Sequence, residues 1–521
     1  MIEALAGSEL GAGCRRLAAL RPPSVAVVAT AVLAAVWLVF LSGFGTDLSA
    51  QVAWAHFVAA NPLAAYDFSW YGGTAPAAYS VLAPYVLAAI GPRIGIALAS
   101  LCCAAAMGRI LDRHHTARPR LASIWLAIGL FAGMIAGRAT FTLGLAAALA
   151  AICALEVGWS RPVVRRGTAA AAAVLCTLLS PVAGIFLGVA AAAFGLTGRR
   201  ADGATLAVAT GLPLLALGIL FGSGGVQPIT ILSAGPAALA AVLVAAGAPR
   251  SWRVVRVGAV IYAIGVVSVL VLPTPVGSNV ERLGLLLAGP LLVSMWIRHR
   301  SVLVAGTLVI AAWQIAQPVR DLLSGRPSPA SQSQTRSLVR HLRAVHADTA
   351  RVEAVPQYGH WESAELAAVV PLARGWERQV DTVRNPLFYQ GTLTAAAYHA
   401  WLRAEAVRYV AISDSTPDYA GVQEAGIVRR GEPWLIPAWH NSGWTLYRVA
   451  GTAPLASPPA SIIATTPVTV TLRMPTPGST VVRVHWSPFL RVDHGGRLVA
   501  AGTWTRLRVT RPGRYTLSAA Y

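Results

Sequence analysis

Residues 112–144 read "DRHHTARPRLASIWLAIGLFAGMIAGRATFTLG". Arginines and histidines crowd the first nine positions. An uncharged apolar run follows from Leu121 to Gly137, then a lone Arg138, and a second apolar run begins at once and reaches 157. A spanning helix needs roughly 20 apolar residues, with a range of about 17–25. Clusters of basic residues mark the cytoplasmic ends of such helices. The stretch therefore predicts a helical hairpin that enters the membrane after Arg120, turns on the outer side at Arg138 and returns.

The same alternation runs through the first three-fifths of the chain. The 521 residues are 55% hydrophobic and 12% charged, with a mean hydropathy of +0.59. A soluble globular chain carries roughly 25% charged residues, so the composition is that of an integral membrane protein. Further candidate spans are 24–43, 93–111, 204–221, 229–247, 257–272, 283–297 and 301–317. Between them lie "RPVVRR" (161–166), "GRRAD" (198–202), "PRSWRVVR" (249–256) and "RHR" (298–300). The run 168–197 starts and ends at arginines and must cross twice or re-enter, with its break at Ser180–Pro181 because proline disfavours helix at the preceding residue; it counts as two short helices. Residues 79–90 read as a helix at the outer interface, ended by "GPR" (91–93). The sum is about eleven transmembrane helices in residues 1–323, N-terminus inside and the rest of the chain outside the plasma membrane.

Beyond Ser324 the composition changes. "SGRPSPASQSQ" (324–334) reads as a linker. An α/β domain follows over 335–450, with "RVEAVPQ" and "VRYVAIS" as strands around the helix "TAAAYHAWLRAEA". A second linker, "APLASPPAS" (453–461), precedes five alternating segments, "PVTVTLRM" to "RYTLSAA", that predict a β-sandwich over 462–521.

The net charge of +21 does not indicate a nucleic-acid partner, since the arginines sit in short clusters between apolar runs. No lysine occurs. Cys14, Cys102, Cys103, Cys153 and Cys176 have no metal-ligand spacing with histidines, and the last four fall in apolar runs as small packing residues. "RRLAALR" and the run 24–41 resemble a signal peptide only superficially; the apolar run is too long.

On the outer side, charges are few, and ionisable groups near hydrocarbon are functional hypotheses by default. "GTDLSAQ" places Asp47 one helical turn before Gln51. "YDFSWYGG" sets Asp67 beside Trp70 and Tyr71, flat rings of the kind sugars stack on, or else an interfacial aromatic belt. Arg138 and Arg282 both face outward, and Asn279 lies three residues before the second. Two such arginines can grip a phosphate, and a lipid-linked phosphosugar presents one at this depth.

"GTDLSAQ … YDFSWYGG", the arginine at an outer hairpin turn, "GSNVER" in a later outer loop and the C-terminal region together resemble the GT-C superfamily, above all its actinobacterial envelope members. These are multi-spanning glycosyltransferases that use polyprenyl-phosphate sugars. The resemblance covers about 1–320 and, more loosely, "HWESAELAAVVPLARGWERQVD" (360–381). It implies that an aspartate of the first outer loop is the catalytic base, and Asp47 and Asp67 both qualify. Arg138, Arg282 and Asn279 would bind the donor phosphate. Gln51, Trp70 and Tyr71 would position substrate, and His360, Trp361, Arg374, Trp376 and Arg378 would face an envelope glycan or lipid acceptor. A divalent cation stays open, with no ligand set in view. The competing readings are a transporter, which would show internal repeats and midplane polar groups, and a non-catalytic scaffold with a glycan-binding exterior domain, which leaves the outer charges unexplained.

Overall fold

The computed structural model describes residues 21–156, 161–222, 225–295, 300–324 and 329–521; Cys14 and the arginines beside it lie outside these. The chain forms two compact units that are not contiguous in sequence. One comprises Met1–Ser42, Arg93–Gly218 and Pro228–Arg320; the other comprises Gly43–Pro92, Ile219–Gln227 and Asp321–Tyr521.

The first unit is helical. Among the described residues, six helices are long and apolar enough to cross a membrane: Pro22–Leu41, Pro92–Arg113, Ala139–Glu156, Pro162–Leu179, Arg200–Phe221 and Arg253–Val271. Pro119–Ile135, Pro181–Leu196 and Ile231–Gly247 are apolar but shorter. The opening hairpin has a physical stop. Gly137 takes φ 76°, its N–H donates to Met134 O at 3.0 Å, and the Arg138 N–H donates to Gly133 O at 3.1 Å. That is a Schellman termination, which requires a left-handed residue and therefore favours glycine. The predicted break at Ser180 is also present. Its backbone is extended, and its hydroxyl accepts from the Ala183 N–H at 3.3 Å, capping Pro181–Leu196. Small residues let these helices close on one another: a methyl group on Gly144 would lie 2.5 Å from Ser180 Cβ, as in other membrane helix pairs. The ends of four helices are tied by ions. Asp202 holds Arg165 at 2.8 Å, Arg166 at 3.2 Å and Arg199 at 3.0 Å, while Glu156 holds Arg199 and lies 3.5 Å from His114.

The second unit contains a four-stranded sheet, β1 (Arg351–Ala354), β2 (Val407–Ser413), β3 (Leu435–His440) and β4 (Trp444–Val449), in the order β1-β2-β4-β3. β1 and β2 are parallel, joined by a crossover that includes the helix Ala395–Ala404; the other pairs are antiparallel. Alternation along β2 from Tyr409 onward feeds two cores. Val410 and Ile412 pack with Phe388, Tyr398 and Leu402, whereas Tyr409 and Ala411 face the core of Trp54, Trp70, Val352 and Trp444. Trp54 and Trp70 come from the stretch 45–73, so that stretch is part of this unit's interior.

The remaining strands are β5 (Ser461–Thr466), β6 (Thr469–Met474), β7 (Gly478–His485), β8 (Leu490–Val492), β9 (Arg497–Ala501), β10 (Trp504–Val509) and β11 (Gly513–Ala519). They form sheets ordered β7-β10-β9 and β5-β6-β11-β8. Leu472, Met474, Val482, Val484, Leu507 and Leu517 of the two sheets share one core with Tyr66 and Phe68. Two local expectations differ from the structure. Residues 329–334 of the expected linker belong to the helix Pro329–Ala344, and the helix expected over 79–90 is limited to Ala83–Ile90, with a separate short helix at Pro76–Tyr79.

Candidate functional site

In the helical unit, Arg138 and Arg282 line one cavity of about 30 Å³ together with Phe141, Thr142, Gln314 and Gln317. Arg138 follows the Schellman turn directly. Arg282 sits in the first turn of the helix Glu281–Ser294, with its guanidinium 5.4 Å above the Phe141 ring. The Glu281 carboxylate is within electrostatic reach of both arginines. Asn279 is buried in the single turn Gly277–Val280 that precedes that helix. Thus the two arginines, 144 positions apart in sequence, are brought to one place. A second cavity of about 270 Å³ has almost entirely apolar walls, including Ile110, Leu149, Phe186, Val244 and Leu291. Leu145 lines both cavities.

The aspartates belong to the second unit. Asp47 is half-buried at the start of the helix Leu48–Ala60, and its carboxylate does not cap that helix. Gln51, one turn on, is buried and donates to the Tyr79 hydroxyl. Asp67 is 4% exposed. It closes a tight hairpin: its N–H and C=O pair with Thr74 at 2.8 and 2.9 Å, and its carboxylate accepts from the Ser69 N–H at 2.8 Å. Burial pushes its pKa up to about 7, against the pull of the Ser69 bond. Three distant segments hold this hairpin from outside, through Leu372 N–H to Ser69 O, His485 N–H to Gly72 O and Phe68 N–H to Pro467 O, each at 2.7 Å. Trp70 and Tyr71 are each 1% exposed. The Trp70 N–H donates to Ser363 O at 3.2 Å, and the Tyr71 hydroxyl to Glu377 O at 3.3 Å. Neither ring offers a free face for a sugar to stack on.

The segment 360–381 is largely internal as well. Arg374 is buried between Glu353 at 2.8 Å, Glu424 and Asp381 at 3.8 Å, with Phe388 3.7 Å beneath it. Burial pushes the carboxyls of Glu353 and Glu424 upward, with Arg374 opposing; the charge of Glu424 adds to the rise at Glu353 and that of Asp381 to the rise at Glu424. Arg378 makes a two-pronged pair with Asp418, both bonds 2.9 Å, and donates to Tyr389 OH at 3.0 Å. Burial alone would raise the Asp418 pKa; Arg378 and His360 overturn that and hold it far below the ordinary carboxylate range. His360 is buried, 3.6 Å from Asp418 and 3.5 Å from Glu362, and its ring stacks on Trp376 at 3.5 Å and 10°. Burial lowers its pKa, but the two carboxylates outweigh that and leave it above the usual value. Trp361 and Trp376 are half-buried. Both arginines are therefore consumed by ion pairs inside the unit rather than presented to an acceptor.

Sequence reasoning missed the partners that make this cluster: Glu377, Asp418, Glu353 and Glu424. One signal was available. With 42 arginines against 21 acids, any acid inside a folded unit is a candidate arginine partner. Glu377, between Trp376 and Arg378, accepts from the Trp54 N–H at 3.1 Å, and burial raises its pKa to about 8. Among the described residues no three His, Cys, Asp or Glu side chains are grouped so as to hold a metal ion.

No family model matches this chain, and no curated protein matches it. Among solved structures it is similar to cryo-EM structures of the arabinofuranosyltransferase AftD from Mycobacteria, in two particle classes of one mutant. Each has a TM-score of 0.46, with 14% and 13% sequence identity. The alignments cover 96% of this chain and 60% and 61% of those chains, so it spans about three-fifths of the length of the structures it resembles.

Proposed function

We propose that the protein is a membrane glycosyltransferase that takes a sugar from a polyprenyl-phosphate donor and passes it, with inversion, to an envelope glycan or lipid on the outer face. The observation that carries the reading is the pair of arginines in one cavity beside a larger apolar cavity, with Leu145 common to both. A lipid phosphate has this same division: a charged head that needs charge-assisted donors and a hydrocarbon chain that needs an apolar bed.

The roles follow from the chemistry of the side chains. Asp47 is the general base, because it is only half-buried where Asp67 is enclosed. It takes the proton of the acceptor hydroxyl as that oxygen attacks the anomeric carbon. The bond from that carbon to the phosphate oxygen breaks, and its electron pair leaves with the lipid phosphate. Arg138 and Arg282 stabilise the charge that develops there. Asp67 holds the hairpin of residues 67–74, and Asn279 supports the loop from which Arg282 emerges.

Binding of a polyprenyl-phosphate sugar to the purified full chain in lipid nanodiscs tests the donor half. A hydrogen bond to a charged group contributes about 1.5–3 kcal/mol, so Arg138→Ala and Arg282→Ala should each weaken binding by about 10- to 100-fold. Unchanged affinity in both variants would remove the phosphate assignment.

A further inference from the structure

We infer that Trp376 is a positioning residue for the Asp47 segment, and that the cluster of His360, Asp418 and Arg378 holds Trp376 in place to do so. The catalytic side of this inference rests on the reading of Asp47 as the base.

The geometry forms a chain of contacts within one unit. The Trp376 N–H donates to Thr46 O at 2.7 Å, the carbonyl immediately before Asp47. The Ser49 hydroxyl reaches the same carbonyl at 3.4 Å, so Thr46 O accepts from both sides of the turn that starts the helix. Trp376 cannot swing away from this bond without breaking its stack on His360. His360 in turn adopts φ 54°, a left-handed backbone that is uncommon for a residue with a Cβ and persists only where surroundings dictate it. Those surroundings are Glu362 beside one ring nitrogen and Asp418 beside the other. Arg378 completes the cluster, paired with Asp418 and 4.7 Å above the Trp376 ring. Cations over an indole face are attracted to it. Gly375 fits the preceding step, because a side chain there would overlap the Trp70 ring. The buried charges of the second unit thus act on the turn bearing the candidate base. This accounts for their arrangement better than an open acceptor groove does.

Trp376→Phe tests this, since it keeps an aromatic ring to stack on His360 but removes the N–H. Hydrogen exchange of the amides of residues 45–51, in the full chain in nanodiscs, reads the hold without any chemistry. A hydrogen bond contributes about 0.5–1.5 kcal/mol net, so exchange should speed up about 2- to 10-fold. In the transfer assay kcat should fall about tenfold or more, with the donor KM unchanged, because misplacing a catalytic group by an ångström costs up to about 10²-fold. His360→Gln should move both readouts the same way. Trp434→Phe, which alters the similar stack on His399, should move neither. Unchanged exchange in Trp376→Phe and His360→Gln overturns the hold. Faster exchange with unchanged kcat, in an enzyme that Asp47→Asn inactivates, overturns the positioning role. Should Asp47→Asn retain full transfer, the assignment of the base fails and takes the positioning role with it, and the exchange result still decides whether Trp376 holds the turn.

Discussion

Arg378→Ala is the perturbation whose size the structure sets most clearly. Arg378 and Asp418 are both buried, joined by two bonds of 2.9 Å, and Arg378 also stacks 4.4 Å from Tyr419. Removing one partner of a buried pair leaves the other charge uncompensated, at a cost of about 3–5 kcal/mol. Arg378→Lys keeps the charge but loses the planar fork, and should cost about 1.5–3 kcal/mol, one charged hydrogen bond. The sign with pH follows from Asp418, whose pKa is depressed in the folded chain. Its contribution is fully present above the unfolded value of about 3.9 and is lost as pH falls through the folded value. The gap between wild type and Arg378→Ala should therefore be full at high pH and narrow as pH falls through the pKa of Asp418 in the variant, where burial raises it without Arg378 to oppose it. Thermal unfolding of the purified chain in detergent, followed by tryptophan fluorescence, should show a midpoint about 10 °C lower at pH 7, at roughly 2–4 °C per kcal/mol. A variant that unfolds within about 2 °C of wild type, and instead loses acceptor affinity, would refute the reasoning. Arg378 would then be the acceptor ligand that its sequence context suggested.

Two further outcomes follow from buried groups in the same unit. Asp67 and Glu377 have pKa values raised to about 7 and about 8, so the folded chain binds protons that the unfolded chain has released and loses stability as pH rises from about 4 to 8. Asp67→Asn, which keeps an oxygen for the Ser69 N–H, should therefore unfold at a higher temperature than wild type at pH 8, with a smaller difference at pH 5; an advantage equal at both would show that ionisation of Asp67 is not the cause. Gly375→Ala should destabilise by about 1–3 kcal/mol through overpacking against Trp70, and in the same unfolding assay the change should cost less in a Trp70→Ala background, which removes the Cγ and Cδ2 atoms that the added methyl group would overlap.

What the sequence disclosed, and what it withheld, divides along contact distance. The Ser180 break and the Arg138 turn rest on neighbours within five residues, and both are present. Strands with clean alternation between turns, such as "RLVAA" and "WTRLRV", were visible as β9 and β10. β3 was not, because Pro437 interrupts its pattern, and β5 was hidden by the proline-rich stretch before it. The arginines and aromatics were recognised as unusual, but their partners were not. Arg374 meets Glu424 across 50 positions and Trp54 meets Glu377 across 323, and no local period encodes such pairs. For the same reason Trp70 and Tyr71 read as surface rings while the structure makes them core. The loop that bears them folds with residues 321–521 rather than with the helices that flank it.

The proposed reaction moves a sugar from a lipid phosphate, with Asp47 as the base. The most direct measurement is transfer of radiolabel from polyprenyl-phosphate sugars in membranes containing wild type or Asp47→Asn at equal abundance. General-base catalysis contributes typically about 10²–10⁴-fold, so the variant should lose transfer by that order while still binding donor. Equal transfer by the two proteins would contradict Asp47 as the base, and absence of transfer from any such donor by the wild-type protein would contradict the glycosyltransferase reading itself.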